Sequence, residues 1–286
     1  MGRHDHGAAR GAALRSPPKQ RRLTRGWWLV AALALATQGY AADGSATPLR
    51  APERIAKAGV LRVAVDATYP PMEFEGPDGK PTGFDVDLAT ALASRLDVRA
   101  ELVVMNWDGI LAGLSSQRYD VILSSMNVTP ERKQVADFVE YLQMAQVFVT
   151  KPGGKVGSTA ELAGRSVAVQ ADTTSHSAVQ KAQAEGVRIK QIKAFPLATQ
   201  AFQALKAGQA EVIVIDEPVA RYYAKQDPAS FTVTGQALTP EPVGIAIRKS
   251  DPDLVRALTE AVAAVKADGT FERLSRQWFG TVLGAP

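Results

Sequence analysis

Tyr119-Asp120-Val121-Ile122-Leu123-Ser124-Ser125-Met126-Asn127-Val128-Thr129-Pro130-Glu131-Arg132 changes character after Leu123. Tyr119 to Leu123 reads as a short buried strand. Ser124 to Val128 is a polar turn. Thr129 is a good helix N-cap, and Pro130 has the fixed φ that suits a first helical residue. Strand, polar turn and helix start are the unit of an α/β sheet, and open sheets of that class gather ligands beyond the carboxyl ends of their strands. Ser124, Ser125, Asn127 and Arg132 are therefore candidate ligand-binding residues. Hydroxyls, free N–H groups and a guanidinium at a helix start suit an anion, and Arg can hold a carboxylate with both arms of its fork. An ordinary turn with a surface Arg would have the same local pattern.

The unit recurs on both sides. Val60 to Val65 is a β-rich run, and Phe84 to Leu96 sets Val86, Leu88, Ala89, Leu92, Ala93 and Leu96 on one helical face. Glu101–Met105 reads as a strand and Trp107–Ser116 as a helix. A second series follows: strand Ser166–Gln170, helix Thr174–Gly186, strand Arg188–Ala194, helix Leu197–Ala207 and strand Glu211–Ile215. Alternation of this kind predicts an α/β fold with two mostly parallel sheets. Between the series, Val147 to Thr150 runs extended into Lys151-Pro152-Gly153-Gly154, and Thr239-Pro240-Glu241-Pro242 precedes a strand at Val243–Arg248. Two extended crossings divide the body into a first lobe at 55–146 and 242–286 and a second lobe at 147–241. Helices are expected from Asp251-Pro252-Asp253 to Ala267, and from Thr270 to Gln277-Trp278-Phe279-Gly280.

Each lobe offers further candidates at the same kind of position. Gln170-Ala171-Asp172-Thr173-Thr174-Ser175 is a strand, polar turn and helix start in the second lobe, so Gln170, Thr173 and Thr174 could face an anion there, with Thr173 also an N-cap. Asp216 ends the apolar run Val212–Ile215 before Glu217-Pro218; it either meets a cation or caps the next helix. Asp66-Ala67-Thr68-Tyr69-Pro70-Pro71 brings a carboxylate and an aromatic face to the end of the first strand. Trp107, in Asn106-Trp107-Asp108-Gly109, could cover an apolar part of a ligand or pack in the core. His176 lies in a first helical turn without an identifiable partner to orient it as a base. Gly153-Gly154-Lys155-Val156-Gly157-Ser158 lacks the Gly-Lys-Ser/Thr order of a phosphate loop.

Composition narrows the chemistry. The chain has 286 residues, 33 Lys+Arg, 29 Asp+Glu and a net charge of +4. Residues 1–41 hold seven basic residues and one acid, leaving 26 basic against 28 acidic and a net −2 for the body. The order of that leader is basic Gln20–Arg25, apolar Trp27–Thr37, then small residues to Ala41, which is the order of a secretory signal peptide cut after Ala41, with an uncleaved amphipathic anchor as the alternative. Its apolar part falls short of the ~20 residues a membrane-spanning helix needs. With no Cys there is no thiol nucleophile, disulfide, iron–sulfur cluster, cysteine zinc site or lipid-attachment cysteine, and the body's one His, His176, cannot build a multi-His metal site. No basic stretch is interleaved with aromatics, so a nucleic-acid platform is not expected. The body is large enough for two lobes with their own cores.

Taken together, Asp66-Ala-Thr-Tyr-Pro-Pro71, Gly83-Phe-Asp-Val-Asp-Leu88, Asn106-Trp-Asp-Gly109, Val128-Thr-Pro-Glu-Arg132, Val214-Ile-Asp-Glu-Pro218 and Trp278-Phe-Gly280 resemble the polar amino-acid-binding proteins of bacterial ABC importers, the family 3 extracellular solute-binding proteins. The resemblance runs from about Leu61 to Gly280. It implies the two-lobed type II periplasmic-binding-protein fold with two hinge strands and a ligand between the lobes. It also implies that Arg132 clamps the ligand α-carboxylate, that Ser125, Asn127 and Thr173 add hydrogen bonds, and that Asp216 accepts the α-ammonium. Tyr69 and Trp107 would sandwich the side-chain stem, and Asp66 and Gln170 would read its tip. Asn127 departs from the Ser or Thr usual at its position.

The expected protein is thus a periplasmic, monomeric, non-enzymatic carrier. It would need no cofactor or metal, bind no nucleic acid and insert in no membrane once its leader is removed, and it would deliver its ligand to an ABC permease. Asp66 should favour Arg, Lys, ornithine, His or Gln over Glu and Asp. Two other classes share the fold. A cyclohexadienyl-type dehydratase would need a Glu near the second-lobe turn, where His176 lies instead. A covalent membrane sensor would need an output module, and the chain ends at Pro286, six residues beyond Gly280.

Overall fold

Central strands here are short and mostly apolar, with polar residues at some ends, and the helices lay an apolar stripe on them. The computed structural model describes residues 49–284, so the expected leader lies outside the described residues. A short helix α1 (Glu53–Ala58) leads into strand β1 (Val60–Val65). A small antiparallel sheet follows, made of β2 (Thr68–Tyr69), β3 (Glu73–Glu75) and β4 (Pro81–Thr82). Next come α2 (Phe84–Arg95), β5 (Arg99–Val104), α3 (Ile110–Ser115), β6 (Val121–Ile122), α4 (Pro130–Val135) and β7 (Ala136–Met144). Then the chain builds β8 (Gln146–Thr150), β9 (Ser166–Gln170), α5 (Thr174–Ala184), β10 (Gln191–Phe195), α6 (Ala198–Lys206), β11 (Val212–Asp216), α7 (Glu217–Gln226) and β12 (Thr232–Thr234). It closes with β13 (Glu241–Arg248), α8 (Pro252–Ala267) and α9 (Thr270–Phe279).

The first sheet has the order β5-β1-β6-β13-β7, and the second β10-β9-β11-β8-β12. In each, three parallel strands are extended by antiparallel ones. β13 runs against β6 and β7, and β8 runs against β11 and β12. This is the two-lobed periplasmic-binding-protein architecture. The chain passes from the first sheet to the second at Ala145 and returns over residues 235–240.

Several expected elements are shorter or shifted: the strand expected at Arg188–Ala194 runs from Gln191 to Phe195, and the helix expected to reach Gly186 ends at Ala184. Trp107–Gly109 forms a tight 3₁₀ turn, with no side chain capping it, and α3 begins only at Ile110. The strand expected at Tyr119–Leu123 is in regular register only at Val121 and Ile122; on either side the Asp120 N–H donates to the Arg62 carbonyl and the Leu123 N–H to the Ala64 carbonyl, while the Asp120 carboxylate takes the Arg62 N–H.

The core explains why the strand ends are held in place. Phe84, Leu88 and Leu92 from α2 and Leu96 at its end cover one face of the first sheet together with Leu254, Leu258 and Val265 from α8. Ile110, Leu114, Tyr119 and Met126 cover the other face. The larger apolar cluster continues through Val147 and Val149 into Ile213, Ile215, Phe202 and Leu205, so it spans both lobes. Among the described residues no helix is long and apolar enough to cross a membrane.

Candidate functional site

Asp66 follows β1, Ser124 lies just beyond β6, and Gln170 and Asp216 end β9 and β11. All four therefore sit at the carboxyl ends of their strands, where the two lobes face each other. With Tyr69, Glu73, Trp107, Ser125, Asn127, Thr173, Thr174 and Ser175 they line a cavity opening onto about 320 Å³ of space.

The walls are joined by hydrogen bonds from one lobe to the other. The Tyr69 hydroxyl donates to Asp216 Oδ2 at 2.9 Å, and Gln170 Nε2 donates to Asp66 Oδ2 at 2.7 Å. The backbone carbonyl of Asp172 receives both the Trp107 indole N–H and an Arg132 guanidinium N–H, each at 3.1 Å. Asp172 can present that carbonyl because its backbone is left-handed, with φ 58°.

On the first lobe, the Ser124 hydroxyl accepts from the Asp66 N–H at 2.9 Å, and Ser125 adopts a left-handed φ of 49°. Thr129 caps α4 by accepting from the Arg132 N–H at 3.2 Å, and Pro130 occupies the first turn. Arg132 also donates to the Asn127 carbonyl at 2.8 Å and lies over the Trp107 ring at 5.2 Å. Its side chain faces a neighbouring groove of about 1170 Å³, lined also by Gln146, Lys181 and Glu241, rather than the cavity itself. Burial lowers its pKa, opposed by the negative field of Asp216. Asn127 Nδ2 is buried on the cavity wall and has no hydrogen-bond partner.

On the second lobe, Thr173 caps α5 by accepting from the His176 N–H at 3.2 Å and donates to the Gln170 carbonyl at 2.8 Å. His176 Nδ1 is taken up locally, accepting from the Asp172 N–H at 3.3 Å. Asp216 occupies the cap position of α7 yet makes no capping bond. Instead its carboxylate, 4% exposed, turns into the cavity and accepts from Tyr69 and from Gln146 Nε2 at 3.2 Å. Burial pushes its pKa up to about 6. Of the two local readings of Asp216, the capping one is thus replaced by a carboxylate aimed at a buried space.

Several residues of the site went unread in the sequence. Gln146, the polar opening of a strand otherwise apolar from Val147 to Val149, reaches Thr174 Oγ1, Asp216 Oδ1 and Glu241 Oε2, each at 3.2 Å. Glu73 lines the cavity, and Asp85 stands behind Ser125. A carboxylate three and four residues before Leu88 and Ala89 belongs on the buried face of α2, and that spacing was the available signal. Among the described residues no group of three or more His, Asp or Glu is placed to hold a metal ion.

Residues 61–281 match the family described as bacterial extracellular solute-binding proteins, family 3. The L-cystine-binding protein TcyJ of Escherichia coli K12 is 34% identical over 230 residues, which span 79% of this chain and 85% of the relative. An ancestral arginine-binding protein bound to arginine is 38% identical, with a TM-score of 0.74 over 78% of this chain and 99% of that one. The ancestral amino acid-binding protein AncCDT-1, described as a precursor of cyclohexadienyl dehydratase, is 39% identical, with a TM-score of 0.73 over 79% and 98% of the two chains. From this match, the paired sheets and the cavity between the lobes, the chain belongs to the family 3 bacterial extracellular solute-binding proteins.

Proposed function

We propose that the protein is the substrate-binding component of an ABC importer, taking a polar L-amino acid between its lobes and delivering it to a membrane permease. One observation carries this reading. A buried amide donor without a partner, Asn127 Nδ2, and a buried carboxylate held only by neutral groups, Asp216, face the same cavity from opposite lobes. A free amino acid is a zwitterion, and burying either of its charges unpaired is costly. Asp216 takes the ammonium. Asn127, Ser125 and the N-terminal turn of α5 at Thr173 and Thr174 surround the carboxylate, and Arg132 reaches it by trading away the Asp172 carbonyl. Tyr69 and Trp107 enclose the stem of the side chain. Asp66 and Gln170 read its tip, which favours a basic or amide side chain over a second carboxylate.

The lobes are taken as 55–146 with 242–286, and 147–241. Residues 1–41 direct export to the periplasm and are removed, and the mature protein acts as a monomer without cofactor, nucleic acid or membrane insertion. Mass spectrometry of the exported chain should find its first residue at Ala42. Calorimetry across Arg, Lys, ornithine, His, Gln, cystine, Glu and Asp tests the ligand class. Tight binding is expected in the basic or amide group, and Arg132→Ala or Asp216→Ala should weaken it at least ~30-fold, the cost of stripping a buried charge of its partner. Binding of Glu or Asp alone would overturn the assignment.

The likeness to AncCDT-1 favours one second reading, a dehydratase of cyclohexadienyl acids. At the second-lobe turn His176, not a Glu, is present, and its Nδ1 accepts from the Asp172 N–H. Incubation with prephenate and arogenate should leave both unchanged, and turnover of either would replace the carrier reading.

A further inference from the structure

Glu73 and Asp85 are buried carboxyls, 1% and 0% exposed, that contact no ligand group in the reading above. They come from different elements, β3 and the first turn of α2, and meet behind the Ser124-Ser125 turn. Glu73 Oε1 accepts from the Ser124 hydroxyl at 2.9 Å. Asp85 Oδ2 accepts from the Ser125 N–H at 2.7 Å and from its hydroxyl at 3.0 Å, while Glu73 Oε2 lies 3.4 Å from the same hydroxyl. On the far side the Tyr141 hydroxyl, from β7, donates to Asp85 Oδ1 at 2.9 Å. The other titratable groups facing the pair are Asp66, beyond β1, and Tyr69, on β2. No Lys, Arg or His is among these neighbours.

Two ionised carboxylates in one buried site without a cation repel each other and lose their hydration. One of them must keep a proton. Burial and the field of Asp85 push Glu73 well above the usual carboxylate range, and burial pushes Asp85 up to about 6. Ser125 meanwhile holds a left-handed backbone, which a non-glycine residue keeps only when its surroundings impose it. The imposing contacts are the two bonds to Asp85.

We propose that Glu73 and Asp85 act as positioning residues that share a single proton at neutral pH, and that this half-neutralised pair fixes the Ser124-Ser125 turn in its ligand-binding form. Protonated Glu73 accepts from Ser124 while leaving the negative charge on Asp85, where the Ser125 N–H can use it. The proposal rests on the ligand-binding reading of the cavity, whose wall includes Glu73, Ser124 and Ser125.

The test has two arms. With L-arginine as probe, Glu73→Ala should lower affinity about tenfold or more, the loss expected when buried hydrogen bonds go unmade. Glu73→Gln should recover most of that loss, because its amide reproduces the donor and acceptor of a protonated acid. Wild-type affinity should fall further than that of Glu73→Gln as pH is raised above neutral, because only the wild-type pair has a shared proton to lose; ligand deprotonation is common to both proteins and cancels. The second arm uses no ligand. Carbon-13 carboxyl spectra should show one glutamate still protonated at pH 7 and missing in Glu73→Gln, and hydrogen exchange at the Ser125 N–H should accelerate in Glu73→Ala but not in Glu73→Gln. Full ionisation of every glutamate at pH 7, or a Gln variant as impaired as the Ala variant, overturns the proposal. If the wild type binds no amino acid at all, the carrier reading fails, while the spectra and exchange rates still decide the pair.

Discussion

Asp216 concentrates the chemistry of the site in one side chain. Its carboxyl is buried at the end of β11, bonded to Tyr69 from the opposite lobe and to Gln146 at the crossing between them. Burial raises its pKa to about 6. Between the ordinary carboxylate value of about 4 and that raised value, the folded protein holds a proton that the unfolded chain has released. Without ligand, stability from this group therefore declines as pH rises through that window and is level above it. A ligand ammonium paired with the ionised carboxylate pulls the pKa back down. L-arginine binding at about pH 5.5 should consequently release protons, and affinity should strengthen toward pH 7. Calorimetry in two buffers of different ionisation enthalpy measures the release. Equal release from Asp216→Asn would show that another group is responsible.

At the scale of elements, α2 shows both the reach and the limit of pattern. Its apolar stripe is plain in the sequence, and the helix runs from Phe84 to Arg95 as that stripe implies. Asp85 lies on the same stripe, yet acids in a first helical turn, here Asp85 and Asp87, also suit an exposed helix start, so only the packing of β3 and β7 around it reveals its partners. β7 had no signal of its own, since its buried and exposed residues do not alternate and its register comes from β13. The start of α2 depends on Gly83, which has φ 133° and stands so close to the Met72 backbone that a Cβ would collide with the Met72 carbonyl. Gly83→Ala should therefore destabilise the protein by roughly 2–5 kcal/mol, from backbone strain and overpacking together. Urea unfolding measures it, and a midpoint unchanged from wild type would show that the Met72 segment yields freely.

For the molecule as a whole, closure of the lobes is supported at a distance from the cavity. Phe74 on β3 packs against Tyr222 on α7 with ring centroids 6.1 Å apart, and against Trp278 on α9 at 6.0 Å. The first contact joins opposite lobes and touches no ligand-reading residue. Aromatic pairs contribute about 0.5–1.5 kcal/mol beyond their buried area, and apparent affinity scales with the fraction of molecules in the binding-competent form. Tyr222→Ala should thus weaken every ligand of the calorimetric panel by one common factor of roughly 2–10, leaving their ranking intact. A change in ranking would place Tyr222 in the recognition of the ligand itself. Such contacts between lobes were not legible in the sequence, because Phe74 and Tyr222 carry no periodic or spacing relationship to each other. The sequence marks crossings by an extended run into Lys151-Pro152-Gly153-Gly154 and by Thr239-Pro240-Glu241-Pro242; in the structure the chain changes sheets at Ala145 and over 235–240, and Val147–Thr150 is a strand of the second sheet.

Those crossings have a consequence for inheritance. Met144, the last residue of β7, is paired directly with Glu241, the first of β13. Everything from β8 to β12 is hung from that single point as one uninterrupted loop of chain, with its entrance and exit side by side. A segment attached in this way can be exchanged between relatives as a cassette, without re-threading the sheet that carries it. Such an exchange would replace Gln170, Thr173, Thr174 and Asp216 in one event and leave Asp66, Tyr69, Trp107 and Arg132 untouched. One half of the recognition surface could then evolve as a unit against a constant other half.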